Sequence, residues 1–408
     1  MFTPEMLTAT LQQAFALLPD HPFAVELWDG QRVMPEGADP KFTLCIRNPD
    51  VLAKVIAAPG WSALGEAYLG GDIDIEGDIL AAYPLAEYLQ EQFGDENPGE
   101  APETLADVRL EAAPQTHTPE RDKDAIAHHY DQGNRMFELI TDAGTMGYSC
   151  ACFYSDDDTL EQAQRNKLER AAGKVDVQPG DRVLDIGCGW GGLLKYVAGD
   201  LGARAVGVTI AEEQLKHCRE LMEEEGLSDK VSVSLCDYRD IDGSEPFDKI
   251  ISLGMVEHVG PANLGIYFKK AFELLKPGGL FMLQGLSSRI DEERAEVTDF
   301  ASDYLFPDAS MPYFVDYAQA IQEAGFEIRD VENLREHYGW THERWLRNLE
   351  KNKDQVVAEF GEKRFRAMRI MFSYSNRYLL AGTVNLFQWV LWKPDGAERP
   401  ALPYRRRW

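Results

Sequence analysis

The run Gly187-Cys188-Gly189-Trp190-Gly191-Gly192 directly follows the apolar stretch Arg182-Val183-Leu184-Asp185-Ile186. Glycines at that spacing let a backbone turn approach a ligand and let the next helix pack close to the strand. Such a turn lies at the carboxyl end of a strand, where open α/β sheets bind their ligands. Alone, a G-x-G turn suits a nicotinamide dinucleotide as well as any other adenosyl cofactor. Two residues favour S-adenosylmethionine over NAD. Asp185 sits inside the strand end, two residues before Gly187, where its carboxylate can hold an ammonium or order the turn. The second strand ends in Thr209, not in the acid that grips an NAD ribose. Asp237, after a third strand, is placed to accept from an adenine amine, and is equally suited to cap a turn.

These residues need a framework, and the chain supplies one. Apolar runs at 182–186, 203–208, 231–235, 249–253 and 280–283 alternate with helical patterns at 212–225 and 263–275. That alternation predicts βαβ units and a mainly parallel sheet. The helix at 263–275 is expected to stop at Lys276-Pro277-Gly278-Gly279. A helix near 313–324, a strand at 326–334, a helical region at 340–380 and a late strand at 386–392 continue the series. Residues 1–90 form a separate domain with a hairpin turning at Asp29-Gly30 and a strand at 42–46. Its helix starts at Asn48-Pro49-Asp50, and the stretch 72–78 alternates carboxylates with apolar residues, as an edge strand does. Residues 91–120, rich in Glu, Pro, Ala and Thr, read as a linker, followed by a helical stretch at 121–140 and a catalytic domain over 121–408.

The whole-chain arithmetic narrows the partners. The 408 residues carry 41 Lys+Arg against 69 Asp+Glu, a formal net charge of −28. That excludes a nucleic-acid binder, which needs a basic footprint, and disfavours simple adsorption to an anionic membrane. It fits a protein kept soluble at high salt. The six cysteines form no Cys-x-x-Cys pair and no zinc spacing. A reducing cytosol is the expected compartment, with no signal peptide and no transmembrane helix.

Several motifs in order resemble the cyclopropane-fatty-acyl-phospholipid synthases and the related mycolic acid cyclopropane synthases. They are His128-His129-Tyr130-Asp131-Gln132-Gly133-Asn134, Gly147-Tyr148-Ser149-Cys150-Ala151-Cys152-Phe153, Leu184-Asp185-Ile186-Gly187-Cys188-Gly189-Trp190-Gly191, Gly207-Val208-Thr209-Ile210 with Gln214, Gly254-Met255-Val256-Glu257-His258-Val259-Gly260, and Leu275-Lys276-Pro277-Gly278-Gly279. The stretches 64–68 and 72–78 also look like the family's small lipid-side domain. The resemblance implies an α/β fold, a class I methyltransferase Rossmann-like seven-stranded sheet with helical insertions plus a small N-terminal α+β domain. It implies an S-adenosylmethionine site of Tyr148, Ser149, Asp185, Gly187, Gly189, Thr209, Ile210, Gln214, Asp237, Tyr238 and Leu253. It implies a bicarbonate held by Cys150, Glu257, position 284, the backbone N–H of Leu286, and Tyr338. Position 284 departs from the family: it is Gln where the family has His, so its amide can donate to an anion but cannot take a proton.

The implied substrate is an unsaturated acyl chain of a phospholipid, met at the inner face of the cell membrane by a cytoplasmic, peripherally bound homodimer. No metal is expected. Methyl transfer to an alkene leaves a carbocation, which aromatic faces stabilise. Tyr304, Phe306, Tyr313, Phe314, Tyr338 and Trp340 are candidates, and each also suits ordinary core or tunnel lining. His128 and His129 are expected over the cofactor, and His258 in a structural role. Two basic segments, 363–369 and 404–408, suit either an interfacial patch or, respectively, a solvated helix face and a tail. The readings left open are cyclopropanation, a methylene- or methyl-branched product, a silent lipid-binding protein and a small-molecule methyltransferase.

Overall fold

The computed structural model describes residues 3–16, 23–52, 61–85, 134–289 and 311–396. Among these the chain divides into two compact units. One holds the described residues up to 85 together with Lys353–Arg377; the other holds 134–289, 311–352 and 378–396.

The first unit is built on a 4-stranded sheet. Its strands are β1 (Ala24–Glu26), β2 (Arg32–Val33), β3 (Phe42–Ile46) and β4 (Ile73–Gly77), in the order β2-β1-β3-β4. The β1–β2 hairpin forms as expected, with Gly30 taking the positive φ of 85° that its turn requires. β4 is an edge strand. Ile73 faces inward and Glu76 faces water, while Asp74 is half-buried, so the alternating carboxylates are only partly its solvated side. The helix expected after Asn48 is described only over 50–52. The 91–120 linker, the 121–133 stretch with His128 and His129, the aromatics Tyr304 and Phe306, and the 404–408 tail lie outside the described residues.

The basic segment 363–369 is only in part a surface feature. Arg366 and Arg369 are buried. Arg366 donates to Tyr68 O at 3.1 Å, Ile73 O at 3.3 Å and Asp74 Oδ2 at 2.8 Å. Arg369 donates to Ile75 O at 2.8 Å and Gly77 O at 3.0 Å. The physical reason lies in β4: as an edge strand it offers unpaired carbonyls, and a guanidinium satisfies several at once. Of the four cations only Lys363 is exposed.

The second unit is a 7-stranded sheet in the order β10-β11-β9-β8-β5-β6-β7. Its strands are β5 (Arg182–Ile186), β6 (Arg204–Thr209), β7 (Val231–Leu235), β8 (Phe247–Leu253), β9 (Leu275–Ser288), β10 (Glu327–Asn333) and β11 (Val384–Trp392). The five strands from β7 to β9 pair in parallel, and β11 joins β9 and β10 antiparallel. This is the expected class I methyltransferase sheet. Successive residues feed opposite faces: Leu184, Ile250, Phe281 and Trp389 pack with Tyr267 and Phe268, while Val183, Ile251, Met282 and Val390 pack with Ala171 and Val197.

One boundary differs from expectation. The helix Leu264–Leu274 ends one residue early, and Lys276-Pro277-Gly278-Gly279 lies inside β9 rather than between elements. The β8–β9 register breaks at Phe247/Lys249, opposite this segment. A proline with no N–H and two glycines are tolerated where the ladder is already irregular. The region 340–380 is three helices, Arg335–Lys351, Lys353–Phe360 and Glu362–Ala381. The helix Leu160–Lys174, which braces the site, is not among the elements the sequence predicts. Among the described residues, no helix is long and apolar enough to cross a membrane.

Candidate active site

A cavity opens at the carboxyl ends of β5, β6 and β8. Tyr148, Ser149, Asp185, Gly187, Gly189, Thr209, Ile210, Gln214, Asp237, Tyr238 and Leu253 all line it. The glycine turn shapes its floor. Gly187 has φ +85°, and a Cβ there would stand 2.7 Å from the Cβ of Met255. The N–H groups of Gly187 and Cys188 both donate to Val208 O at 3.0 Å, tying the turn to β6. Ser252 Oγ donates to Ile186 O at 2.8 Å and ties it to β8. Thr209 Oγ1 donates to Gln214 Oε1 at 2.8 Å, so strand end and helix start form one wall. Tyr148 is held between two rings, Phe137 at 4.9 Å and Trp345 at 4.8 Å between centroids.

Asp185 is buried, and its carboxylate makes no hydrogen bond among the described residues. Burial pushes its pKa up to about 7, against the opposing field of Lys167. Asp237 is engaged differently. It accepts from Arg239 Nε and Nη2 at 2.7 Å each and from the Arg239 N–H at 2.9 Å, so it caps the short turn Tyr238–Asp240 while facing the cavity. Burial raises its pKa, but the Arg239 bonds outweigh that and hold it below the usual carboxylate range.

The Leu160–Lys174 helix adds two residues that the sequence did not point to: Lys167, which lines the cavity, and Gln164, which does not line it but braces a segment that does. Gln164 Nε2 donates to Gly147 O at 2.9 Å and Ser149 O at 3.0 Å, fixing the segment that carries Tyr148. Lys167 lines the cavity and donates to Ser149 Oγ at 3.2 Å. The available signal was polar residues on the helix face that also carries Ala163, Leu168 and Ala171. His258, expected in a structural role, also lines the cavity, because the turn Val256–His258 follows β8 directly.

The five residues assigned to an anion lie beside this cavity rather than in its lining. Cys150 and Tyr338 pack with Leu286 and with Cys152, Leu334 and Leu386. Burial pushes the Cys150 thiol well up, so it stays protonated and donates to Ala151 O at 3.3 Å. Glu257 Oε1 accepts from Leu286 N–H at 2.9 Å, while Oε2 is shut from solvent with no hydrogen-bond partner among the described residues. Burial pushes the Glu257 pKa up to about 7, against the N–H bonds that lower it. The Leu286 N–H is therefore committed to Glu257 instead of pointing free toward an anion. Gln284, opposite cavity-lining Leu253 across the β8–β9 ladder, is buried and accepts through Oε1 from Gln388 Nε2 at 3.0 Å. Of the other aromatics, Tyr313 is buried, Phe314 packs on Phe387 and Trp389, and Trp340 stands edge-on to Phe153.

The sequence model of the mycolic acid cyclopropane synthetase family matches residues 117–389. The chain belongs to this family. A domain of unknown function matches residues 10–94. The chain is 35% identical to the cyclopropane-fatty-acyl-phospholipid synthase of Escherichia coli K12 over 81% of each chain. It is 35% identical to a probable fatty acid methyltransferase of Pseudomonas putida over 94% of this chain and 95% of that one. A second probable fatty acid methyltransferase, from Mycobacterium tuberculosis, is 31% identical over 100% of both. The solved structure of a mycolic acid cyclopropane synthase complexed with SAH and CTAB superposes with a TM-score of 0.62 at 28% identity, covering 66% of this chain and 97% of that one. Coclaurine N-methyltransferase shares the fold, with a TM-score of 0.66 at 21% identity over 81% of this chain and 99% of that one. The protein is an S-adenosylmethionine-dependent methyltransferase.

Proposed function

We propose that this methyltransferase acts on the double bond of an unsaturated phospholipid acyl chain and forms a cyclopropane fatty acid, with bicarbonate as general base. The observation that carries the reading is the buried Oε2 of Glu257, which has no hydrogen-bond partner among the described residues, on a carboxylate bonded to Leu286, whose side chain packs with Cys150 and Tyr338. A lone carboxylate shut from water is costly unless it shares a proton or a partner. A Glu257 pKa near 7 lets Oε2 carry a proton and donate it in a hydrogen bond to a small anion. Cys150, Glu257, Gln284, Leu286 and Tyr338 would hold that anion, with Leu286 N–H shared between it and Glu257.

S-adenosylmethionine supplies an electrophilic methyl and leaves as S-adenosylhomocysteine. Tyr148, Ser149, Asp185, Gly187, Gly189, Thr209, Ile210, Gln214, Asp237, Tyr238 and Leu253 would bind it, and the glycine turn leaves the room that its close approach needs. Positioning the alkene beside the methyl contributes about 7–11 kcal/mol to a step of this kind. The new C–C bond puts a positive charge on the adjoining chain carbon. Loss of one proton from the added methyl, to the base, closes the ring. Access to the lipid is at the inner membrane surface, by a peripherally bound homodimer.

Gln284 favours a second reading. Its amide is paired to Gln388 and takes no proton, so the site has one titratable group fewer than the family pattern. The same cation could then lose a proton from a neighbouring chain carbon to the base, leaving a methyl-branched alkene, or, after a 1,2-hydride shift, lose one from the added methyl, leaving an exocyclic methylene. The names of the relatives in Pseudomonas putida and Mycobacterium tuberculosis are in keeping with that outcome. The test is incubation with an oleoyl phospholipid and cofactor whose methyl is fully deuterated, with the product read by mass spectrometry and NMR. A ring carbon keeping two of the three deuterons supports cyclopropanation. An exocyclic double bond, or a methyl keeping all three, overturns it.

A further inference from the structure

Lys167 is the buried cation that the site reading leaves without a task. Its side chain is fully buried, it lines the cofactor cavity, and it sits mid-helix where burial of an ammonium is expensive. Its single hydrogen bond among the described residues goes to Ser149 Oγ at 3.2 Å. An ammonium has three donors, so two remain to be met. No carboxylate of the described residues lies within ion-pair distance of it. The acids whose fields reach it are Asp142 and Asp185. Asp142 is already spent on Thr145 N–H, Thr145 Oγ1 and Gly147 N–H, at 2.6, 2.9 and 2.9 Å. Asp185 lines the same cavity as Lys167, also buried and also without a hydrogen-bond partner among the described residues. Two opposite charges that share one cavity and do not pair with each other leave room for a ligand carrying both.

We propose that Lys167 and Asp185 together form a receptor for the zwitterionic amino-acid end of the cofactor, Lys167 binding its carboxylate and Asp185 its ammonium. The proposal rests on the cavity being the S-adenosylmethionine site, and assigns the carboxylate to a residue outside the family-derived set. Ser149 then acts as the hinge that aims the ammonium, since its hydroxyl is the atom Lys167 already touches.

The test measures affinity by calorimetry, with S-adenosylhomocysteine and its decarboxylated analogue as probes. The wild-type chain should prefer S-adenosylhomocysteine, and Lys167→Met should erase that preference by losing about ten- to a hundredfold in affinity for it alone. Binding of the decarboxylated analogue should stay within about threefold, which also reports that the variant is folded. Lys167→Gln, which keeps a polar head without the charge, gives the same readout should the methionine variant fail to fold. Equal losses for both probes would mark Lys167 as a scaffold for Ser149 and overturn the proposal, as would an unchanged preference. A wild-type chain that binds neither probe would overturn the cofactor-site reading itself.

Discussion

The cavity at the strand ends and the Glu257 neighbourhood lie side by side, yet they are made of different materials. The cavity's floor is shaped by backbone, a glycine turn at three parallel strand ends whose N–H groups are tied to Val208 O at 3.0 Å, with side chains completing its walls. The Glu257 neighbourhood is built by side chains from β9, β11, the turn after β8 and the helix Arg335–Lys351. Backbone construction tolerates change in side chains but not in shape. Side-chain construction tolerates change in neither, because the paired polar atoms depend on partners elsewhere in the chain.

The contrast can be broken at several points. The largest effect is expected from Glu257→Gln, which keeps the shape but removes the exchangeable proton: turnover should fall by about 10²–10⁴ while S-adenosylhomocysteine affinity stays unchanged. An equal loss of affinity would show that the two halves are not separable. Gly187→Ala attacks the other half. Its Cβ would meet Met255 at 2.7 Å and sit at φ +85°, so cofactor affinity should collapse and stability drop by about 1–3 kcal/mol.

A subtler break is in pH. The Glu257 pKa is raised from 4.5 to about 7, so the folded state holds this proton more tightly than the unfolded chain. Its contribution to stability is full below about pH 4.5 and is lost as pH rises through 7. Thermal melts of Glu257→Gln should lack that part of the decline, a difference of about 1–3 kcal/mol. Identical slopes for both proteins would contradict the raised pKa. Gln388→Met should cost only about 1 kcal/mol, since it removes the donor to Gln284 Oε1 but also removes the buried Gln388 Oε1, which has no partner among the described residues. The smallest effect concerns membranes. With Arg366 and Arg369 buried and a net charge of −28, lowering the salt should weaken binding to anionic vesicles. Tighter binding would mean that other basic residues govern the encounter.

The same contrast decides what the sequence could tell. The turn at Gly187, the acid at 185 and the Thr209–Gln214 pair are short-range spacings, so their place in the sheet could be read directly. The strands with regular apolar runs were legible for the same reason. The bond from Leu286 N–H to Glu257 joins residues 29 apart, and the Gln284–Gln388 pair joins residues 104 apart. Nothing local encodes such partners. Gln164 and Lys167 were missed because a polar residue on a helix ordinarily faces water, and here tertiary packing turns the polar face inward. The basic run at 363–369 misled in the same way: composition shows charge, whereas only the fold shows that edge-strand carbonyls consume it.

The clamp of Arg366 and Arg369 on β4 also bears on the order in which the protein can mature on the ribosome. The bond from Arg369 to Gly77 O spans 292 residues, and between its two ends the chain lays down nearly all of the methyltransferase sheet. At ordinary elongation rates of about 5–20 residues per second, the small sheet waits roughly a quarter of a minute to a minute for the guanidiniums that close its edge. Until then β4 is an open template for strands of other chains. Truncation before residue 366 would leave it so permanently, which makes gene fragments ending there poor candidates for soluble expression.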